Sequence, residues 1–358
     1  MRLRTLAPLV LLTYTLAPVF AAPVPKPATI NPEVVAAFKM LGGEYGSMKS
    51  TDRWLPPRAD PKTPFHETAT FSDGRSQFVD AEDRSAPGIP AFRFRKIPTG
   101  DLPAVNVPFG LDLHDSGCTD ADVEVLGDLK NLARLNLLGT EVTENALKHL
   151  GANPTLHSLT LGEGRHARGR FAGWQGFTSL KHVTRLSLSR TNLTGDGWRE
   201  LKEMPELDTL NFHGSEVTDT ELSQLEGVKH LATLGLGSTQ VTDKGVEKLK
   251  GFANLSSLDL SSVKKATGAG IEGLANLVTL DLLGTRVTDA RIREWKGLKK
   301  LATLSLGSTG VTDALVGDFA DFKALTLLDL EYSGVTNEGG AKLTRALSKC
   351  KILYVYTR

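Results

Sequence analysis

Two stretches of this chain, NLARLNLLGTEVTENALKHL at 131–150 and HLATLGLGSTQVTDKGVEKL at 230–249, are variants of one pattern. NLVTLDLLGTRVTDARIREW at 276–295 and KLATLSLGSTGVTDALVGDF at 300–319 repeat it again. The shared template is L-x-x-L-x-L-x-x-T-x-V-T-D, followed by apolar residues at helical spacing. Its third leucine position recurs at Leu113, Leu137, Leu161, Leu188, Phe212, Leu236, Leu260, Leu282, Leu306 and Leu330, in steps of 24, 24, 27, 24, 24, 24, 22, 24 and 24. About ten units on nearly one period make the chain a repeat array.

Each template position has a physical reading. The L-x-x-L-x-L segment predicts a short parallel strand with leucines inward and the residues between them facing solvent. Next comes a hydroxyl residue: Ser116, Thr140, Thr191, Ser215, Thr239, Thr285, Thr309 and Ser333. A hydroxyl there is predicted to satisfy backbone groups where the strand turns away. Val142, Val217, Val241, Val287, Val311 and Val335 follow and should point inward. Thr-Asp then supplies capping oxygens and a favourable charge at a helix start. Pairs such as Val123 with Leu126, or Val246 with Leu249, give that helix a buried stripe. Two units depart from the template. The third has His166-Ala167-Arg168 in place of V-T-D, and the seventh has Val263 in the hydroxyl slot before a 22-residue step. Local distortion is expected at both.

On these residues the segment 107–358 resembles the leucine-rich-repeat family. It is similar to the helix-bearing kind found in ribonuclease inhibitor and F-box substrate adaptors, and its L-x-L-x-x-T-x-V-T-D wording looks most like exported bacterial leucine-rich-repeat proteins. The resemblance implies an α/β, right-handed solenoid, or horseshoe, with parallel strands on the concave face and helices on the convex face. It also implies protein binding through the concave face. No F-box stands ahead of the repeats, so the ubiquitin-linked role of those adaptors does not carry over.

Four shorter segments precede the array. Residues 1–21 read as a signal peptide: Arg2 and Arg4, an uncharged stretch from Leu6 to Phe20, and Val19-Phe20-Ala21 as a cleavage site. The apolar run is short of the ~20 residues a span needs and is broken by Pro8 and Pro18, which favours a cleaved signal over an anchor. The product is then expected in the periplasm or outside the cell, without stable membrane insertion. Residues 22–30 are a proline-rich linker. Residues 31–50 are expected to form a cap helix, with Asn31 as N-cap, Pro32 in the first turn and Gly42-Gly43 as the stop. Residues 51–106, followed closely by Pro108, read as an irregular proline-rich insertion, broken by strand-like runs at 76–79 and 91–97.

Composition excludes more than it identifies. Forty-two Lys and Arg face forty-one Asp and Glu, and loss of Arg2 and Arg4 with the signal leaves 40 against 41, so no net field collects nucleic acid. Cys118 and Cys350 fall at opposite ends of the array, too far apart for a disulfide. Motifs for serine, zinc, phosphate-loop or dinucleotide chemistry are absent. The nearest misses, His66-Glu67 with Thr70, Ser72-Asp73-Gly74, and Ser262-Val263-Lys264-Lys265, lack their companion residues.

The concave face is the expected binding surface. Its candidate residues are Arg134, Asn136, Arg185, Asn211 and His213 toward the amino end, and Asp259, Asp281, Asp329 and Glu331 toward the carboxy end. Asp259 and Asp281 should be neighbours ~4.8 Å apart on adjacent strands, where like charges repel. The acidic positions read as a solvated face or, alternatively, as a patch for a basic partner. No metal site is expected, because the pair lacks further oxygen ligands. No cofactor is expected either. The reading is an exported, monomeric, non-enzymatic protein binder. Its alternatives are a hydrolase or carbohydrate-binding protein with its site in 51–106, or a structural cell-surface component.

Overall fold

The computed structural model describes residues 30–48, 78–80, 89–96, 101–163, 172–228 and 230–354. The expected signal peptide, most of the linker and much of 51–106 lie outside the described residues. Each repeat opens with a strand, from Phe109–Asp112 and Leu132–Asn136 through Ser257–Asp259 and Thr279–Asp281 to Lys351–Leu353. These strands lie parallel, in chain order, within a 14-stranded sheet. Their register aligns the repeats residue for residue: Leu210, Leu234, Leu258, Leu280, Leu304 and Leu328 stand side by side. The ten residues of the third leucine position are all buried, as are the six template valines. The chain is a leucine-rich-repeat solenoid with the sheet on one side and short helices on the other.

The hydroxyl position works as expected at seven of its eight residues, the exception being Ser116, whose Oγ is buried and finds no hydrogen-bond partner among the described residues. Thr140, Thr191, Thr239, Thr285, Thr309 and Ser333 each donate to the carbonyl three residues back, at 2.5–2.7 Å. Ser215 instead donates to Leu188 in the preceding repeat. The Thr-Asp pair does more than cap a helix. Both carboxylate oxygens of Asp243 accept from Thr267 of the next repeat, one from its N–H at 2.8 Å and one from its hydroxyl at 2.5 Å. The same two-pronged clamp joins Asp120 to Thr143, Asp219 to Thr242, Asp289 to Thr312 and Asp313 to Thr336. One template dipeptide thus caps its own helix start and fastens the neighbouring coil.

Both expected distortions are present. The third unit carries an additional parallel pair, Ala172–Trp174 with Asn192–Leu193. In the seventh, Gly268 and Gly270 adopt positive φ, and a Cβ on Gly270 would meet the Glu247 backbone, so only a single 3-10 turn, Ile271–Gly273, forms there. The ninth unit also has only 3-10 turns, at Asp313–Leu315 and Asp318–Asp321, although its sequence follows the template.

Ahead of the array, helix α1 (Pro32–Met40) forms as read, with Asn31 Oδ1 accepting from the Glu33 N–H at 2.9 Å. The expected cap is larger than a helix. Glu44–Met48 is a strand, antiparallel to Ile89–Arg93, and the latter pairs parallel with Phe109–Asp112 and so extends the sheet. Phe78–Asp80 forms the outer edge. Phe38 stacks on Phe92 with ring centroids 3.7 Å apart, and Phe109 packs edge-on against both. Aromatic bulk thus closes the amino end of a core that is otherwise mostly leucine. Cys118 and Cys350 are free and buried, and burial pushes their thiols up to about 12 and about 11. No helix among the described residues is long and apolar enough to cross a membrane.

The Asp–Thr clamp predicts that Asp243→Ala lowers unfolding stability by about 1–3 kcal/mol, because two donors on Thr267 lose their acceptor. The exposed Lys244→Ala should change it by about 0.5 kcal/mol or less. Equal effects in urea unfolding would show that the clamp contributes nothing.

Candidate binding site on the strand face

The strand-face position before the third leucine holds Asp112, Asn136, Asn211, Asp259, Asp281 and Asp329, and it was expected to face solvent. All six are buried. In each, the side-chain Oδ1 accepts from the backbone N–H two residues on: His114, Leu138, His213, Ser261, Leu283 and Glu331, at 2.7–3.3 Å. This is an Asx turn that ends the strand, and it draws the side chain back between neighbours on adjacent strands. The solvated acidic face therefore does not exist for Asp259, Asp281 and Asp329. Alternation along a strand predicts which way a residue points; it does not register the local turn.

At the amino end the buried acid is matched. Asp112 Oδ2 accepts from Arg93 Nε at 3.0 Å, and its Oδ1 lies 2.8 Å from His114 Nδ1 and 2.9 Å from Asn136 Nδ2. Burial alone would raise this carboxyl, but His114 and Arg93 outweigh it and hold Asp112 below its ordinary value. Arg134 is tied to the cap, donating to the Met48 carbonyl at 3.3 Å. Arg185 is half-buried and stands in register with Ser158 and Thr209. These two arginines do not meet the carboxy-terminal acids.

At the carboxy end the acids are not matched in the same way. Asp259 and Asp281 are direct register partners, as expected. Burial, then the Asp281 charge, pushes Asp259 well above the usual carboxylate range, against the bonds from Ser261. Asp329 is raised to about 6 by burial and by the Glu331 charge, with Ser305 Oγ 3.3 Å from its Oδ2. No ion pair reaches Asp259 or Asp329 among the described residues. Glu331 is half-buried beside Asp329.

Between His213 and Asp259 the sixth repeat places no side chain at the two strand-face positions flanking its third leucine, because Gly235 and Gly237 occupy them. Around the point where a Cβ would stand on Gly237, His213 Nδ1 lies at 2.5 Å, Asp259 Oδ2 at 2.8 Å and Ser261 Oγ at 2.8 Å. Asn211 leans over Gly235 in the same way. Groups from the repeats on either side thus converge over one glycine. The only trace of this in the sequence was the glycine pair in two consecutive strand-face positions. The alternative sites at His66-Glu67 and Ser72-Asp73-Gly74, and the basic run Arg165, His166, Arg168, Arg170, lie outside the described residues.

No family model matches the chain, and no curated protein matches it. Among solved structures, an internalin (InlF) of Listeria monocytogenes is 18% identical and aligns over 70% of this chain and 74% of its own, with a TM-score of 0.48. Internalin C2 of the same organism is 23% identical over 60% and 84%, with a TM-score of 0.43. A leucine-rich-repeat protein of Leptospira interrogans is 20% identical over 68% and 71%, with a TM-score of 0.39.

The Asx turn needs an acceptor and not a charge, since Asn136 and Asn211 make the same bond. Asp329→Asn should therefore stabilise the protein by about 1–3 kcal/mol at pH 7. The folded carboxyl titrates above its unfolded value of 3.8. Protonation thus favours the native state, and that contribution is lost as pH rises through about 6. The advantage of the variant should accordingly be largest above pH 6 and disappear below pH 3.8. Asp259→Asn should act in the same direction. A melting temperature that does not differ between variant and native protein at pH 7 would sink this account.

Proposed function

We propose that this leucine-rich-repeat solenoid is an exported, non-enzymatic, monomeric module that binds another protein along its strand face. The observation that carries the reading is the unequal treatment of the two sides. On the helix side the template carboxylates are consumed in clamps between repeats. On the strand face Asp259 and Asp329 of the carboxy-terminal half are buried with no ion pair among the described residues, which costs stability that complementary groups of a partner docked on this face would offset. Twelve parallel strands also present one continuous surface of mostly small residues, the site a solenoid ordinarily offers to a partner. Export is read from the pattern at 1–21, and the neutral charge balance speaks against nucleic acid.

The test is affinity capture from periplasm or medium with the full chain, followed by binding measurements on the captured protein. Thr233→Trp, at a half-buried strand-face position, should weaken that binding by ~10-fold or more. Lys248→Trp, on the exposed helix side, should leave it unchanged. A Thr233→Trp protein that folds normally and binds as tightly as the native chain would overturn the strand-face reading.

A further inference from the structure

We propose that the rim of the solenoid where its last three strands begin is a docking surface for an anionic lipid bilayer, on which the protein lies peripherally with its strand face open to a partner. The surface is built from five lysines. Lys299 and Lys300 precede the strand Thr303–Ser305, Lys323 precedes Leu327–Asp329, and Lys349 precedes Lys351–Leu353, which Lys351 opens. These strands are parallel and in register, so the five lie on one rim of three consecutive coils. At ~4.8 Å between neighbouring strands, the three coils span roughly 10 Å. All five lysines are exposed, and none enters an ion pair among the described residues. Lys300 donates to Asn276 Oδ1 at 2.7 Å, a neutral acceptor that leaves its charge uncompensated.

The cluster is not an even scatter of surface charge. The three links into these strands, 296–302, 321–326 and 347–351, contain one carboxylate, Asp321, and Lys296 holds it at 3.6 Å. The other acids of this stretch are engaged elsewhere. Asp313 clamps Thr336, Asp318 takes Arg293, Glu338 takes Lys342, and Asp329 makes the strand-end turn beside Glu331, on the opposite rim. Toward the amino end the same rim is not basic, for the link 202–208 sets Glu203, Glu206 and Asp208 against Lys202. Nor does a helix dipole call for these lysines. The eighth and ninth coils end in 3-10 turns at Gly297 and Asp321, and Lys299, Lys300 and Lys323 come after them.

The residue type selects the partner. Lysine is a compact charge on a flexible stem, suited to many phosphates spread over a plane and not to one fixed acceptor. Protein interfaces are anchored by Trp, Tyr and Arg and are poor in lysine, and single-stranded nucleic acid is held by stacking on aromatic rings. The five positions supply neither. A layer of anionic headgroups asks only for charge density on one side of the molecule, and each lysine near it strengthens adsorption roughly fivefold. The opposite rim fixes the orientation, because Asp115 and Glu144 are exposed there and a negative surface repels them.

The experiment is flotation of the full chain with vesicles of equimolar phosphatidylglycerol and phosphatidylcholine, and with vesicles of phosphatidylcholine alone. The anionic vesicles should bind ~10-fold more tightly or better, and raising the salt from about 0.1 M to about 1 M should remove the difference. Lys299→Gln, Lys300→Gln, Lys323→Gln and Lys349→Gln, made together, should weaken binding to the anionic vesicles by ~100-fold or more. Lys130→Gln, Lys148→Gln, Lys181→Gln and Lys202→Gln remove the same charge from exposed sites in the amino-terminal half, and together they should change it by less than about threefold. Melting temperatures equal to that of the native chain check that both variants fold. The bilayer is overturned if the two kinds of vesicle bind alike, if the rim variant binds as the native chain does, or if the amino-terminal variant loses as much. Poly-L-glutamate is the last arm: a chain that binds it and ignores the anionic vesicles has a polypeptide on this rim and not a membrane, which also overturns the proposal.

Discussion

No single repeat of this protein has an inside. A strand of three to five residues and a helical stretch of one to three turns expose their apolar residues on both flanks, and only the neighbouring coil covers them. The whole structure depends on that mutual covering, which demands that the repeats stack in fixed register. Leucine alone does not set register, since one leucine slides against another at little cost. The directional bonds set it: the parallel strand ladder on one side, and the Asp–Thr clamps from repeat to repeat on the other. The hydroxyl ladder completes the arrangement by giving strand-end carbonyls, most of which already accept the backbone N–H of the same residue, a second donor.

Against this regular background the strand-end Asx turn uses one geometry with two chemistries. At Asn136 and Asn211 the acceptor is neutral. At Asp112 it is charged but matched by Arg93 and His114, and the carboxyl ionises easily. At Asp259 and Asp329 no ion pair reaches it among the described residues, and burial raises both carboxyls. The same backbone requirement is met in all five, so the difference lies in what each position holds beyond it. Departures from local economy of this kind concentrate where a protein does something other than fold.

The repeat, its period and its strand–helix alternation were legible because they are local. Leu137 and Leu161 advertise themselves by spacing, and Asn31-Pro32 by cap chemistry. Distortion at the third and seventh units was legible for the same reason, as broken spacing. The strand-face acids were legible as neighbours, since Asp259 and Asp281 occupy one template position in consecutive repeats. Their burial was not. It comes from a hydrogen bond to the second residue on, which the alternation of a strand does not encode. The clamp of Asp243 on Thr267 was hidden differently: both residues belong to a helix-start motif whose local explanation already looked sufficient.

By itself the sequence determined the solenoid, because a 24-residue period written in leucine and Thr-Asp has one way of covering its apolar flanks. It also determined which side chains share the strand face. Only the tertiary structure decided which of them are matched and which are not. Arg93 arrives beside Asp112 from outside the repeats, through a cap strand that no period announces. His213 and Asp259 meet over Gly237 because two glycines on the intervening strand remove what would have kept them apart. Convergence of that kind depends on distances across strands. A chain read one residue at a time contains the participants but not their separation.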